Sequence, residues 1–109
     1  MATISIDEFK RVEIRVGKVL EAERLKGTDR IIKLKVSFGD KTLQALTGLG
    51  HLYEPGHFVG KYYAFVTNLQ PKKLRGEVSE CMILAAVESE DKITPLAPET
   101  PVREGSQVM

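Results

Sequence analysis

Ile32-Lys33-Leu34-Lys35-Val36-Ser37-Phe38-Gly39-Asp40-Lys41-Thr42-Leu43-Gln44-Ala45-Leu46-Thr47 is the stretch on which the fold turns. Ile32, Leu34, Val36 and Phe38 alternate with Lys33, Lys35 and Ser37, the two-residue period of a strand with one core face and one cationic face. Gly39-Asp40 then closes a hairpin into Thr42 to Thr47, a further strand.

Upstream, Lys26-Gly27-Thr28-Asp29 reads as a turn, and Val12, Ile14 and Val16 alternate with Glu13, Arg15 and Gly17 in an earlier strand. Val19 falls on the other face after Gly17, as a bulge or sharp bend would cause. Ser5 and Glu8 have the spacing of a capping box, with Ile4 and Phe9 placed as a hydrophobic staple, so a short helix opens the chain. Downstream, Gly48, Gly50, Pro55 and Gly56 break the pattern, and one helical turn is expected around His51 to Glu54. Lys61 to Leu69 is apolar on both faces, as in a barrel's central strand. A polar loop, Gln70 to Glu77, leads to another run, Val78 to Val87, and a short strand near Ile93. Pro95, Pro98 and Pro101 mark a C-terminal tail.

Five or six strands without helical crossovers imply an all-β chain. The first expectation is a five-stranded Greek-key barrel, the oligonucleotide-binding fold, with a short N-terminal helix and a C-terminal extension; an SH3-like barrel is the second. At 109 residues the chain is one domain, with the barrel core at about 12–96.

The formal net charge is +1, which by itself speaks against a strongly basic nucleic-acid protein. The total is a cancellation. Residues 1–76 carry fourteen basic and eight acidic side chains, whereas residues 77–109 carry two basic and seven acidic. A polarised domain of this kind can offer a basic face to a polyanion. The single cysteine, Cys81, excludes a disulfide framework and fits a reducing cytosol. With no leader and no apolar run of membrane-spanning length, the expectation is a cytoplasmic protein with no membrane partner.

Enzyme chemistry finds no complete motif. Gly48-Leu49-Gly50 lacks the third glycine and the helix of a dinucleotide site, and neither Gly17-Lys18 nor Gly60-Lys61 is followed by the Ser or Thr of a phosphate loop. His51 and His57 have no neighbouring ligand to complete a metal set, and Cys81 has no base partner in sequence. No catalysis, cofactor or metal is expected.

The segment Asn68-Leu69-Gln70-Pro71-Lys72-Lys73-Leu74-Arg75-Gly76 is different in kind. Proline ends the preceding strand, and three cations follow within four residues. Lysine offers a movable point charge and arginine a planar fork, a combination suited to phosphate oxygens.

Glu13-Ile14-Arg15-Val16-Gly17, Asp29-Arg30-Ile31, Asn68-Leu69 with Pro71, Lys73-Leu74-Arg75-Gly76, Ser79-Glu80 with Met82, and Leu84-Ala85-Ala86 together resemble the tRNA-binding domain family over residues 6 to 108. This is the domain appended to many methionyl-tRNA synthetases and to the beta subunit of phenylalanyl-tRNA synthetase, and found alone in small tRNA-binding proteins. The resemblance implies a non-catalytic module that grips structured tRNA largely without regard to sequence. It also implies a homodimer joined through the terminal segments, 1–11 and 97–109. The family's groove positions fall on Asn68, Lys73, Ser79 and Met82; inference from the residues adds Lys72, Arg75, Lys33 and Lys35. Position 81, commonly glycine in the family, is cysteine here. Aromatics are few, seven in all; Phe38 and Phe65 are expected in the core and Tyr53, Tyr62 and Tyr63 are the candidates for stacking, which favours shape and phosphate recognition.

Three functions follow as alternatives. The first is a tRNA-binding module, free-standing as Met1 suggests or beside an aminoacyl-tRNA synthetase. The second is a dimeric polypeptide-binding chaperone, as in another branch of the family, using Met82 and Leu74 as an apolar floor. The third is a docking domain that has lost its ligand.

Overall fold

A computed structural model describes all residues from Met1 to Met109. The hairpin that decides the fold is present: β2 (Ile32–Ser37) pairs antiparallel with β3 (Thr42–Thr47), Ile32 opposite Thr47 and Ser37 opposite Thr42. On its other side β2 pairs with β1 (Ile14–Arg24), a long strand whose register shifts between Val19 and Glu21. That shift lets β1 serve two neighbours. Its second half lies along β2, while Ile14 to Lys18 lie along β4 (Tyr62–Val66).

The sheet continues to β7 (Met82–Ile83), giving the order β3-β2-β1-β4-β7. Cys81 then bridges Ala45 of β3 in parallel, which brings the two edges of the sheet together. These five strands form the Greek-key barrel expected. Its centre is aromatic and aliphatic: Ile32, Leu34, Val36, Phe38, Phe58 and Phe65 are essentially inaccessible to solvent. Phe38 and Phe65 meet edge to face at 5.6 Å between centroids. Gly17 makes this packing possible, because a Cβ there would stand 2.4 Å from Val36 Cγ1 and 2.7 Å from Phe38 Cε1.

The helix α1 (Ile6–Phe9) carries the expected capping box, with Glu8 N donating to Ser5 Oγ and Ser5 N to Glu8 Oε1. The Ser5 hydrogen bonds hold the Glu8 carboxyl below its usual range. All of its residues are exposed, including Ile6 and Phe9, and so is Ile4 before it. The helical turn after β3 is a 3₁₀ turn at Pro55–His57 rather than at His51 to Glu54, because Pro55 presets the first helical position. Nor is the run Val78 to Val87 one strand. It divides into β6 (Glu77–Ser79), β7 and β8 (Ala85–Ser89), since Ser79 turns the chain by donating to the Cys81 carbonyl.

The hairpin of β8 with β9 (Lys92–Pro95) stands apart from the barrel sheet, held where Tyr53 Oη donates to the Ile93 carbonyl. The tail returns as β10 (Gln107–Val108) on the β1 edge. Arg15 pins it, donating to the carbonyls of Gly105 and Phe38 and pairing with Asp40 at 3.0 Å. Ser37 Oγ adds a bond to Glu104. No helix is long and apolar enough to cross a membrane.

Candidate nucleic-acid interface

Between the fourth and fifth strands of the barrel the polar loop is itself a hairpin. β5 (Lys72–Leu74) pairs with β6, and Arg75 and Gly76 form a two-residue turn with φ of 50° and 82°. Two consecutive left-handed residues make the type I′ geometry that suits a twisted ribbon. An arginine in that conformation costs roughly 1–2 kcal/mol relative to its right-handed form, yet it puts a guanidinium at the tip of the arm.

Lys72, Lys73 and Arg75 are exposed, and none of them forms an ion pair. Strand alternation divides them. Lys72 lies opposite Ser79 and shares with Leu74 the side facing the barrel, whereas Lys73 lies opposite Val78 on the outer side. Arg75 sits over the turn between β1 and β2, in a cleft of about 320 Å³ that mixes Arg24, Lys26 and Lys33 with Glu23 and Glu77.

Beneath the arm is a groove of about 440 Å³. Leu46, Leu69, Leu74 and Met82 make its apolar walls, with Lys72 and Glu80 among its polar ones. Met82 and Leu69 are each 47% exposed, so the floor is open to a ligand. Met82 therefore belongs to the groove rather than the core.

The other nominated residues are placed differently. Asn68 ties backbone: its Oδ1 accepts from Glu13 N at 2.8 Å and its Nδ2 donates to the Arg11 carbonyl at 2.7 Å. Ser79 Oγ lines the groove but already accepts from Leu46 N. Lys33 is held by Glu23 at 2.9 Å and Glu77 at 3.5 Å, and its ammonium is raised above the usual range chiefly by the Glu23 hydrogen bond. Lys35 is exposed, but the register sets Glu21 opposite it. The β2 face that reads as cationic in sequence is thus interleaved with carboxylates from β1. Lys35 lies off the arm, in a cleft with Glu21 and Glu23, whereas Lys33 borders both that cleft and the one beneath Arg75.

Tyr63, a stacking candidate in sequence, is buried, and Tyr53 packs against His57 and Phe58. Tyr62 lies beneath Lys18 Nζ, 5.9 Å from the ring centroid. Cys81 is buried at the barrel closure and its thiol is pushed up to about 12, mainly by burial. At neutral pH it is a protonated packing group. Sequence reasoning missed Gln44 and Glu77, whose side chains meet beneath the arm. A lone glutamine in an alternating strand carries no signal of such a contact.

Residues 14–107 match the tRNA-binding domain family. The chain belongs to that family. Among solved structures, it is similar to a MetRS-related protein from Pyrococcus horikoshii, 36% identical with a TM-score of 0.94 over the whole of both chains. It is also similar to the chaperone CsaA of Bacillus anthracis, 25% identical with a TM-score of 0.91, covering 99% of this chain and all of that one. Among curated proteins, the methionine–tRNA ligase of Clostridium perfringens is 45% identical over 105 residues. That stretch is 96% of this chain but 16% of the enzyme's length, so the likeness is to one domain of the ligase.

Proposed function

We propose that this chain is a non-catalytic module that holds structured tRNA by shape and phosphate contacts, acting free-standing or in trans with an aminoacyl-tRNA synthetase. The observation that carries this reading is the β5–β6 arm, where Lys72, Lys73 and Arg75 are exposed without an acidic partner. Unpaired cations at the mouth of a barrel give up no salt bridge when they meet phosphate, and each contact releases condensed counterions. Arg75 supplies a fork for two phosphate oxygens, and the Met82 floor offers a surface for a ribose or base.

The module works as a homodimer. Ile4, Ile6, Phe9 and Val12 leave apolar side chains in solvent, and pairing through the N-terminal segment would cover them. In the tail Val102 and Met109 are exposed as well, while β10 is already paired with β1 of its own chain. Two copies double the phosphate contacts available to one ligand.

Electrophoretic titration with unfractionated tRNA at two salt concentrations tests the reading. Binding that weakens steeply with salt is expected; no binding at low salt, or binding indifferent to salt, would overturn it. The open apolar walls of the groove support a second reading, a chaperone for extended polypeptides. Suppression of client aggregation that added tRNA leaves unchanged would favour it.

A further inference from the structure

The β5–β6 arm is a two-stranded sheet of its own, with three residues in each strand; β3 runs beside β6 without joining it in a ladder. Such a ribbon is marginal in water without support. Little of that support is apolar, because Leu74 and Val78 are both more than a third exposed. It comes instead from polar groups of β2 and β3. Gln44 Nε2 donates to the Val78 carbonyl at 3.0 Å and to Glu77 Oε1 at 3.3 Å. The backbone of Gln44 engages Glu80 twice: Gln44 N donates to Glu80 Oε1 at 2.9 Å, and Glu80 N donates to the Gln44 carbonyl at 2.7 Å. Lys33 holds the other carboxylate oxygen of Glu77.

We propose that Gln44 is a positioning residue for RNA binding, which with Glu77 and Lys33 clamps the cationic arm in the attitude that presents Lys72, Lys73 and Arg75 to one ligand. The inference rests on the reading that the arm meets RNA. It also gives Lys33 a role that needs no contact with phosphate. Glu77 makes the idea separable from simple electrostatics. It is an acid two residues from Arg75, so its removal adds one positive charge beside the arm. Charge alone would then tighten tRNA binding. If Glu77 instead orders the arm, its removal weakens binding, because the ligand must then order the ribbon itself.

The test uses the full chain and unfractionated tRNA, with Kd measured over a potassium chloride series and amide exchange followed at residues 72–79 of the free protein. Gln44→Ala and Glu77→Ala are each expected to raise Kd about five- to tenfold, the loss of one or two hydrogen bonds. Both should leave the salt slope unchanged and speed exchange of the arm amides. The control Lys73→Ala/Arg75→Ala should flatten the slope by about 0.9 per lost contact without speeding exchange. Glu77 lies on the arm, outside the barrel core, so its variant keeps the test open where Gln44→Ala fails to fold. Tighter or unchanged binding by Glu77→Ala, alongside a weakened control, would overturn the clamp and leave the RNA reading standing. A control that binds as the parent does would overturn the RNA reading itself.

Discussion

The barrel and the arm use the same kinds of side chain to opposite ends. In the barrel, Arg15 is bound to two carbonyls and Asp40, Lys33 to two carboxylates, and Asn68 to two backbone groups. In the arm, Lys72, Lys73 and Arg75 have no such partner, and Arg75 keeps a left-handed backbone that most residues avoid. The contrast teaches that counting cations along a strand does not locate a phosphate site. A lysine already facing a carboxylate must give up that pairing to bind an anion, whereas an unpaired one loses only water and counterions.

Several substitutions would break or sharpen this contrast. The largest effect is expected from replacing Lys72, Lys73 and Arg75 together by alanine, with tRNA affinity at low salt falling on the order of 100-fold. Filter binding measures it, and the urea midpoint should stay where it was. The barrel answers in the reverse sense. Gly17→Ala forces a methyl into Val36 and Phe38, and thermal unfolding should show a loss of about 1–3 kcal/mol with the salt slope of tRNA binding retained. Smaller still is Asn68→Ala, which frees Glu13 N and the Arg11 carbonyl for water and should cost about 1 kcal/mol by urea titration. A loss of tRNA affinity in that variant beyond about threefold would move Asn68 from the barrel's side of the comparison to the arm's. The least effect is expected of Lys35→Ala, with Kd changing less than about twofold because Glu21 stands opposite the lysine.

Much of the fold is legible in the sequence because it rests on local signals. The alternation from Ile32 to Thr47, the Gly39-Asp40 turn and the Ser5–Glu8 capping box each need only neighbouring residues to be read. The arm is not legible as a hairpin. Its strands are three residues long, too short to establish a period, and Arg75-Gly76 lacks the Asn-Gly signature of its turn type. Side-chain roles are harder again. The partners of Asn68 lie 55 and 57 residues away in sequence, and Lys33 reads as free until β1 and β6 bring Glu23 and Glu77 beside it. Lys72, Lys73 and Arg75 can be read as a cation cluster because the proline before them ends a strand, whereas Met82 enters only through the family resemblance; all four are exposed.

The difference between the two regions is tested most directly by an NMR titration of isotope-labelled protein with unfractionated tRNA. Amide shifts concentrated at Leu69 to Met82, with the acidic β8–β9 hairpin left unchanged, are expected. Shifts centred on that hairpin or on Lys33 and Lys35, with the arm undisturbed, would contradict the assignment of the unpaired cations as the tRNA contact.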